Sequence, residues 1–289
     1  MWFWQALASA FLVGLSIVIG KKLLSNVGTV LVTWSLFTLS IPLLAVIAFS
    51  NGIPKIEPLF YLGVCGSGMV FVFAKLIEMR SIKERSFHLV YPLTVFSTVF
   101  TYILGVFVFQ EYISTLAIIG MTVTLVGAYI LNVEKTKEGV FEPFMYLLKD
   151  KFSLLLLFAM FLTAISSIFD KVALLHVQGS NPSITLVFEN IIMSSFLVAV
   201  LTKRNRQWMT QVKKYFWWLL LMAVLYALGG IFTFQAFVGG TVALTSAVKR
   251  TQVLWVMLYG VLFFHERPPK HAWIATILMI SGVILLRLG

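Results

Sequence analysis

Cysteine occurs once in the 289 residues, at Cys65, so the chain can hold no internal disulfide and no cysteine-rich metal site. Its four histidines, His88, His176, His265 and His271, lack the spacing of a ligand set. Charge is scarce as well: Asp, Glu, Lys and Arg make up 11% of the chain, against about 25% in a soluble domain. No paired carboxylates, metal triad or nucleophile with its base occurs within an apolar run, which argues against an enzyme and against a metal or other cofactor. The glycine-rich stretch "GVCGSG", residues 63–68, lacks the spacing and the βαβ setting of a dinucleotide site. Small residues there suit close helix packing instead. Alternating ten-residue strand patterns are missing too, and with them a β-barrel.

What the chain has is apolar length. Hydrophobic residues make up 60% and the mean hydropathy is +0.97, the signature of an integral membrane protein. Ten windows are long enough to cross about 30 Å of hydrocarbon as helices: residues 2–20, 28–49, 59–82, 87–109, 113–133, 152–175, 183–201, 215–238, 241–264 and 272–286. The first is no secretory signal, because its basic pair, Lys21 and Lys22, follows the apolar run.

The formal net charge of +11 would suit nucleic acid, but its distribution follows the bilayer instead. With ten spans, the loops of one face carry fifteen of the 22 cations and those of the other only Lys55, Lys171 and Arg287. Four, Lys75, Arg80, Lys249 and Arg250, are left at membrane depth, while Lys171 sits near the end of its span. The positive-inside rule makes the rich face cytoplasmic and places both termini outside. The basic loop 203–214 then reads as a cytoplasmic topogenic contact with anionic lipid.

The chain also repeats itself. A shift of 155 residues lays "GVFVFQE", residues 105–111, over "GVLFFHE", residues 260–266, and pairs Gly127 with Gly282. A shift of 150 pairs "SIVIGK", residues 16–21, with "SSIFDK", residues 166–171, so the second copy has a longer loop before its second helix. The copies divide at the polar segment near residue 140, into 1–140 and 141–289. Five spans per copy is an odd number, so the second copy is inverted in the membrane, as in many secondary transporters.

Ten helices in two such halves, each with a fourth helix ending in "F-x-E" and a fifth carrying a late glycine, resemble the EamA-type members of the drug/metabolite transporter superfamily. The resemblance covers essentially the whole chain and implies a multi-pass carrier, expected in a bacterial or archaeal cell membrane. It leaves the substrate open, since that superfamily moves many kinds of solute.

The intramembrane charges are the candidate site. Lys249 lies near mid-bilayer and costs about 2.5 to 3.5 kcal/mol on the insertion scale unless a wet cavity or a partner receives it. "K-R" at 249–250 resembles the phosphate-binding pair of the sugar-phosphate and nucleotide-sugar branch, though the residues before it read "L-T-S-A-V" and lack that branch's "G-N". Ser246 lies one turn earlier. The competing reading is a salt bridge to Glu189 or Asp170. Lys75 and Glu78 stand one turn apart, either lining the cavity or neutralising each other. Their repeat counterparts are Gly230 and Thr233, and Arg80 maps to Gln235. Tyr91, beside Pro92, offers a hydroxyl at a kink. Glu189 is a proton or counter-ion candidate, and Lys171 reads as an interfacial anchor.

The expected substrate-binding set is therefore Lys249, Arg250, Ser246, Lys75, Glu78, Tyr91, Gln235 and Glu189. The expected function is alternating-access transport of a small polar metabolite, anionic or zwitterionic, with coupling to protons or a counter-substrate left open. The alternative is a flippase for a phosphate-bearing lipid head group.

Overall fold

A computed structural model describes residues 1–50, 52–84, 93–94, 96–111, 114–130, 151–204, 208–264 and 270–288. Tyr91 and Pro92 lie outside them. The described residues form helices and no named strand; an isolated bridge joins Ile56 to Val177. In chain order the helices are α1 (Trp2–Leu24), α2 (Thr29–Thr38), α3 (Ile41–Phe49), α4 (Pro58–Glu84), α5 (Phe96–Phe109), α6 (Thr115–Ile130), α7 (Lys151–Leu175), α8 (Pro182–Arg204), α9 (Trp208–Gly239), α10 (Val242–Lys249), α11 (Gln252–Phe264) and α12 (Lys270–Leu288). Among the described residues six segments are long and apolar enough to cross a membrane: α1, α2 with α3, α4, α7, α8 and α9.

Two breaks have local causes. Between α2 and α3, Pro42 withholds the amide that would bond Thr38 O, and the Ser40 hydroxyl turns back to donate to Phe37 O at 2.6 Å. The second corrects the sequence reading, in which 241–264 forms one helix. α10 ends at Lys249, and the chain tightens into 3₁₀-type bonds, Arg250 N to Ala247 O at 3.1 Å and Thr251 N to Val248 O at 3.0 Å, before α11 begins. Apolar periodicity could not reveal this, because the register of hydrophobic residues passes through a tight turn almost unchanged.

The core lies between the two halves of the chain. α1 packs along α9, α4 along α7, α6 along α12, α2 against α8, α5 against α7 and α1 against α11. Exchanging the halves according to the sequence repeat converts α1·α9 into α7·α4, and α5·α7 into α11·α1. Gly63 and Gly66 permit the α4–α7 contact. A Cβ on Gly63 would come within 2.7 Å of the Ala173 backbone, and one on Gly66 within 2.8 Å of the Phe169 ring. This is the close packing expected of "GVCGSG".

Candidate functional site

A central cavity opens among α1, α2, α4, α7, α8, α9 and α10, with about 580 Å³ of space between atoms, its mouth included. Both halves contribute. Val13, Phe37, Ser67 and Phe71 come from the first, and Ser166, Asp170, Glu189, Asn190, Tyr226, Thr233, Phe234, Phe237 and Lys249 are among those from the second. The wall is mixed: Phe37, Phe71, Tyr226, Phe234 and Phe237 supply aromatic surface, and nine of the eighteen lining residues are polar or charged.

Serines and an asparagine organise the polar groups. Ser67 Oγ of α4 donates to Asp170 Oδ1 of α7 and lies 3.0 Å from Ser166 Oγ. Glu189 of α8 stands within hydrogen-bonding reach of the Asp170 carboxyl and of Ser67. Asn190 is committed elsewhere: its amide donates to Ser40 Oγ at 2.8 Å, tying α8 to the α2–α3 break. A second strut, Thr38 Oγ1 to Ser194 Oγ at 2.8 Å, lies beside it. Across the cavity Ser9 and Thr233 hydroxyls meet at 2.6 Å, joining α1 to α9.

Lys249 enters from the end of α10, where the helix dipole favours a cation. It faces Asp170 electrostatically but closes no salt bridge among the described residues. The other end of α10 is held by a carboxylate. Glu111 Oε1 accepts from Val242 N at 2.9 Å, and Thr241 Oγ1 accepts from Leu244 N at 3.2 Å. Glu111 also bonds Lys171 Nζ at 2.7 Å, and Lys171 donates in turn to Gly240 O at 3.3 Å. The chain reverses at Gln110, whose φ is 52°, and folds the Glu111 carboxylate back over Gly105. A Cβ on Gly105 would lie 2.8 Å from Glu111 Oε2. The glycine and the glutamate of "GVFVFQE" are therefore one device.

The EamA-like transporter family matches this chain over residues 1–133 and again over 151–288. The chain belongs to that family. EamA transporters form part of the drug/metabolite transporter superfamily. A solved crystal structure superposes on 97% of the chain and 98% of its own length, with a TM-score of 0.68 at 12% identity, a likeness of fold alone. Comparison with curated proteins gives no match.

Within this EamA protein the expected site residues are scattered more widely than their sequence suggests. Lys249 and Glu189 line the cavity. Arg250 and Ser246 do not, although they adjoin Lys249. Lys75 is buried and bonded to Glu78 at 3.0 Å, with its ammonium 5.3 Å from the centre of the Tyr226 ring. The pair sits behind a cavity wall and neutralises itself. Gln235 faces Gln5, whose amide donates to it at 3.4 Å. Arg80 is exposed and paired with Glu84 at 2.8 Å, so it does not reach the interior. Lys171 is no free anchor but one arm of the Glu111 clasp. The reading of the residues missed Ser67, Ser166 and Tyr226 as lining groups and kept Asp170 only as a salt-bridge partner. A turn of polar residues at 163, 166, 167 and 170 was the available signal, since these positions share one face of α7. Among the described residues no His, Cys, Asp and Glu gather as a metal site.

Proposed function

We propose that this membrane transporter carries a small zwitterionic metabolite by alternating access, with its substrate in the cavity between two inverted five-helix halves. The observation that carries the reading is the presence of opposite charges in one chamber: Lys249, Asp170 and Glu189 all line it, and Lys249 and Asp170 interact electrostatically. A solute anion meets the Lys249 ammonium, and a solute ammonium meets the carboxyl groups. A purely anionic phosphate is a poorer fit, because it would face two acids, and the Arg250 fork is not part of the lining. Phe37, Phe71, Phe234 and Phe237 supply the apolar surface that a side chain of such a solute would cover.

Ten spans in inverted halves are supported by the repeat in the sequence and by helix contacts that map onto each other when the halves are exchanged. The broken helix α10–α11, whose short first part ends in Lys249, resembles the discontinuous helices of transporters at midplane sites. A thermal-shift screen of the purified protein tests the proposal, using α-amino acids, phosphate monoesters and quaternary amines in parallel. Stabilisation confined to zwitterions is the expected result. Stabilisation by phosphate monoesters alone would replace this reading with the phosphate one.

A further inference from the structure

We propose that Asp170 and Glu189 form a one-proton site, in which two carboxyl groups share a single proton as the exchangeable counter-ion of the cavity. Both residues are more than nine-tenths buried, at 8% and 4% exposure. They arrive from different helices, α7 and α8, and converge on one hydroxyl, Ser67, whose proton is already given to Asp170. Glu189 Oε1 has no hydrogen-bond partner, and the neighbouring Asn190 amide donates to Ser40 instead. A bare carboxylate oxygen buried beside a second carboxylate is unfavourable, and one proton placed between the two removes both the repulsion and the missing bond.

The surrounding charges count the proton. From α10 Lys249 faces Asp170, and from α9 the Tyr226 hydroxyl faces both acids. The α4 pair Lys75–Glu78 cancels itself behind Tyr226, and Lys171 beside Asp170 is turned away to Glu111. Arg250 follows Lys249 but lies outside the lining. Two acids facing one ammonium are electrically balanced with one proton bound. This deepens the reading of the cavity as a transport site and gives it a direction of coupling. A solute ammonium entering beside the pair takes over the electrostatic role of the proton, so solute and proton compete, and the carrier exchanges one for the other.

The test of the shared proton needs no solute. Full-length protein in lipid nanodiscs is studied by hydrogen/deuterium difference infrared spectroscopy, which reads the C=O stretch of protonated carboxyl groups. Near neutral pH the wild type should show one protonated carboxyl per chain, and both Asp170→Asn and Glu189→Gln should lose it, because either variant leaves a single acid facing Lys249. A signal missing from the wild type, or surviving in Asp170→Asn, overturns the shared proton; survival would mean that Glu189 is a lone acid kept neutral by burial. Should a variant fail to fold, titration of the wild-type signal decides instead, with one proton per chain supporting the site and none or two refuting it. Any zwitterion that stabilises the protein in the screen should do so more strongly as pH rises through that titration, and stabilisation that weakens with pH overturns the exchange. Absence of any binding zwitterion would sink the transport-site reading while leaving the infrared result standing.

Discussion

Lys249 and Lys171 are both lysines at helix ends in one membrane protein, yet their surroundings give them different sensitivities. Lys249 faces a cavity and closes no ion pair among the described residues but balances the Asp170–Glu189 pair. Lys249→Ala should therefore lower the melting temperature of the solute-free protein at neutral pH, with recovery at lower pH, where the pair takes a second proton. What it should remove is the solute-dependent stabilisation, about 2.7 kcal/mol at a hundredfold excess over Kd, and unchanged solute stabilisation would exclude Lys249 from the site. Lys171 is held in a nearly dry ion pair with Glu111. Removing either partner strands a charge, so Glu111→Ala and Lys171→Ala should each cost about 3 to 5 kcal/mol, while Glu111→Leu with Lys171→Met should recover most of it. Paired melting curves on the single and double variants measure this. Additive losses would mean that the two side chains do not depend on each other. The "F-x-E" glutamate was visible as a repeated motif, but its partner was not, because Lys171 lies sixty positions away and only the fold brings α5, α7 and α10 to one point.

At the scale of the helix, close approach sets the frame in which the cavity forms. α4 carries Ser67 and the glycines that admit α7, so the surface that packs and the group that binds Asp170 share a few turns of helix. Gly63→Ala would drive a methyl group into the Ala173 backbone, which cannot rotate away. The expected cost is about 1 to 3 kcal/mol, read as a lower midpoint in thermal unfolding, and a neutral result would mean that α4 and α7 can separate freely. Small residues at close spacing were legible as a packing signal because the cause is local: no side chain, no steric barrier. The split between α10 and α11 was not legible, since its cause is a change of hydrogen-bond partner at Arg250 and Thr251 that leaves the apolar pattern intact.

The whole molecule is set by the bilayer and by the joining of two related halves. With ten spans the loop charges divide fifteen cations to one face and three to the other, and on that topology a reporter active only in the cytoplasm, fused after residue 289, should stay dark. A strong cytoplasmic signal would invert the topology or change the number of spans. The membrane class and the repeat could be read directly from the sequence, because the hydrophobic demand of a bilayer acts on consecutive residues and a duplicated segment keeps its own register. The composition of the cavity could not. Whether an embedded charge meets a partner, a wall or open space depends on how each helix is rotated against neighbours from the other half, and residues adjacent in sequence diverge by about 100° around a helix. Thus Lys249 reaches the cavity while Arg250 does not, Asp170 faces Glu189 while Lys171 turns to Glu111, and Lys75 is spent on Glu78. Only the tertiary packing decided those assignments, since each one is a property of two or three helices at once.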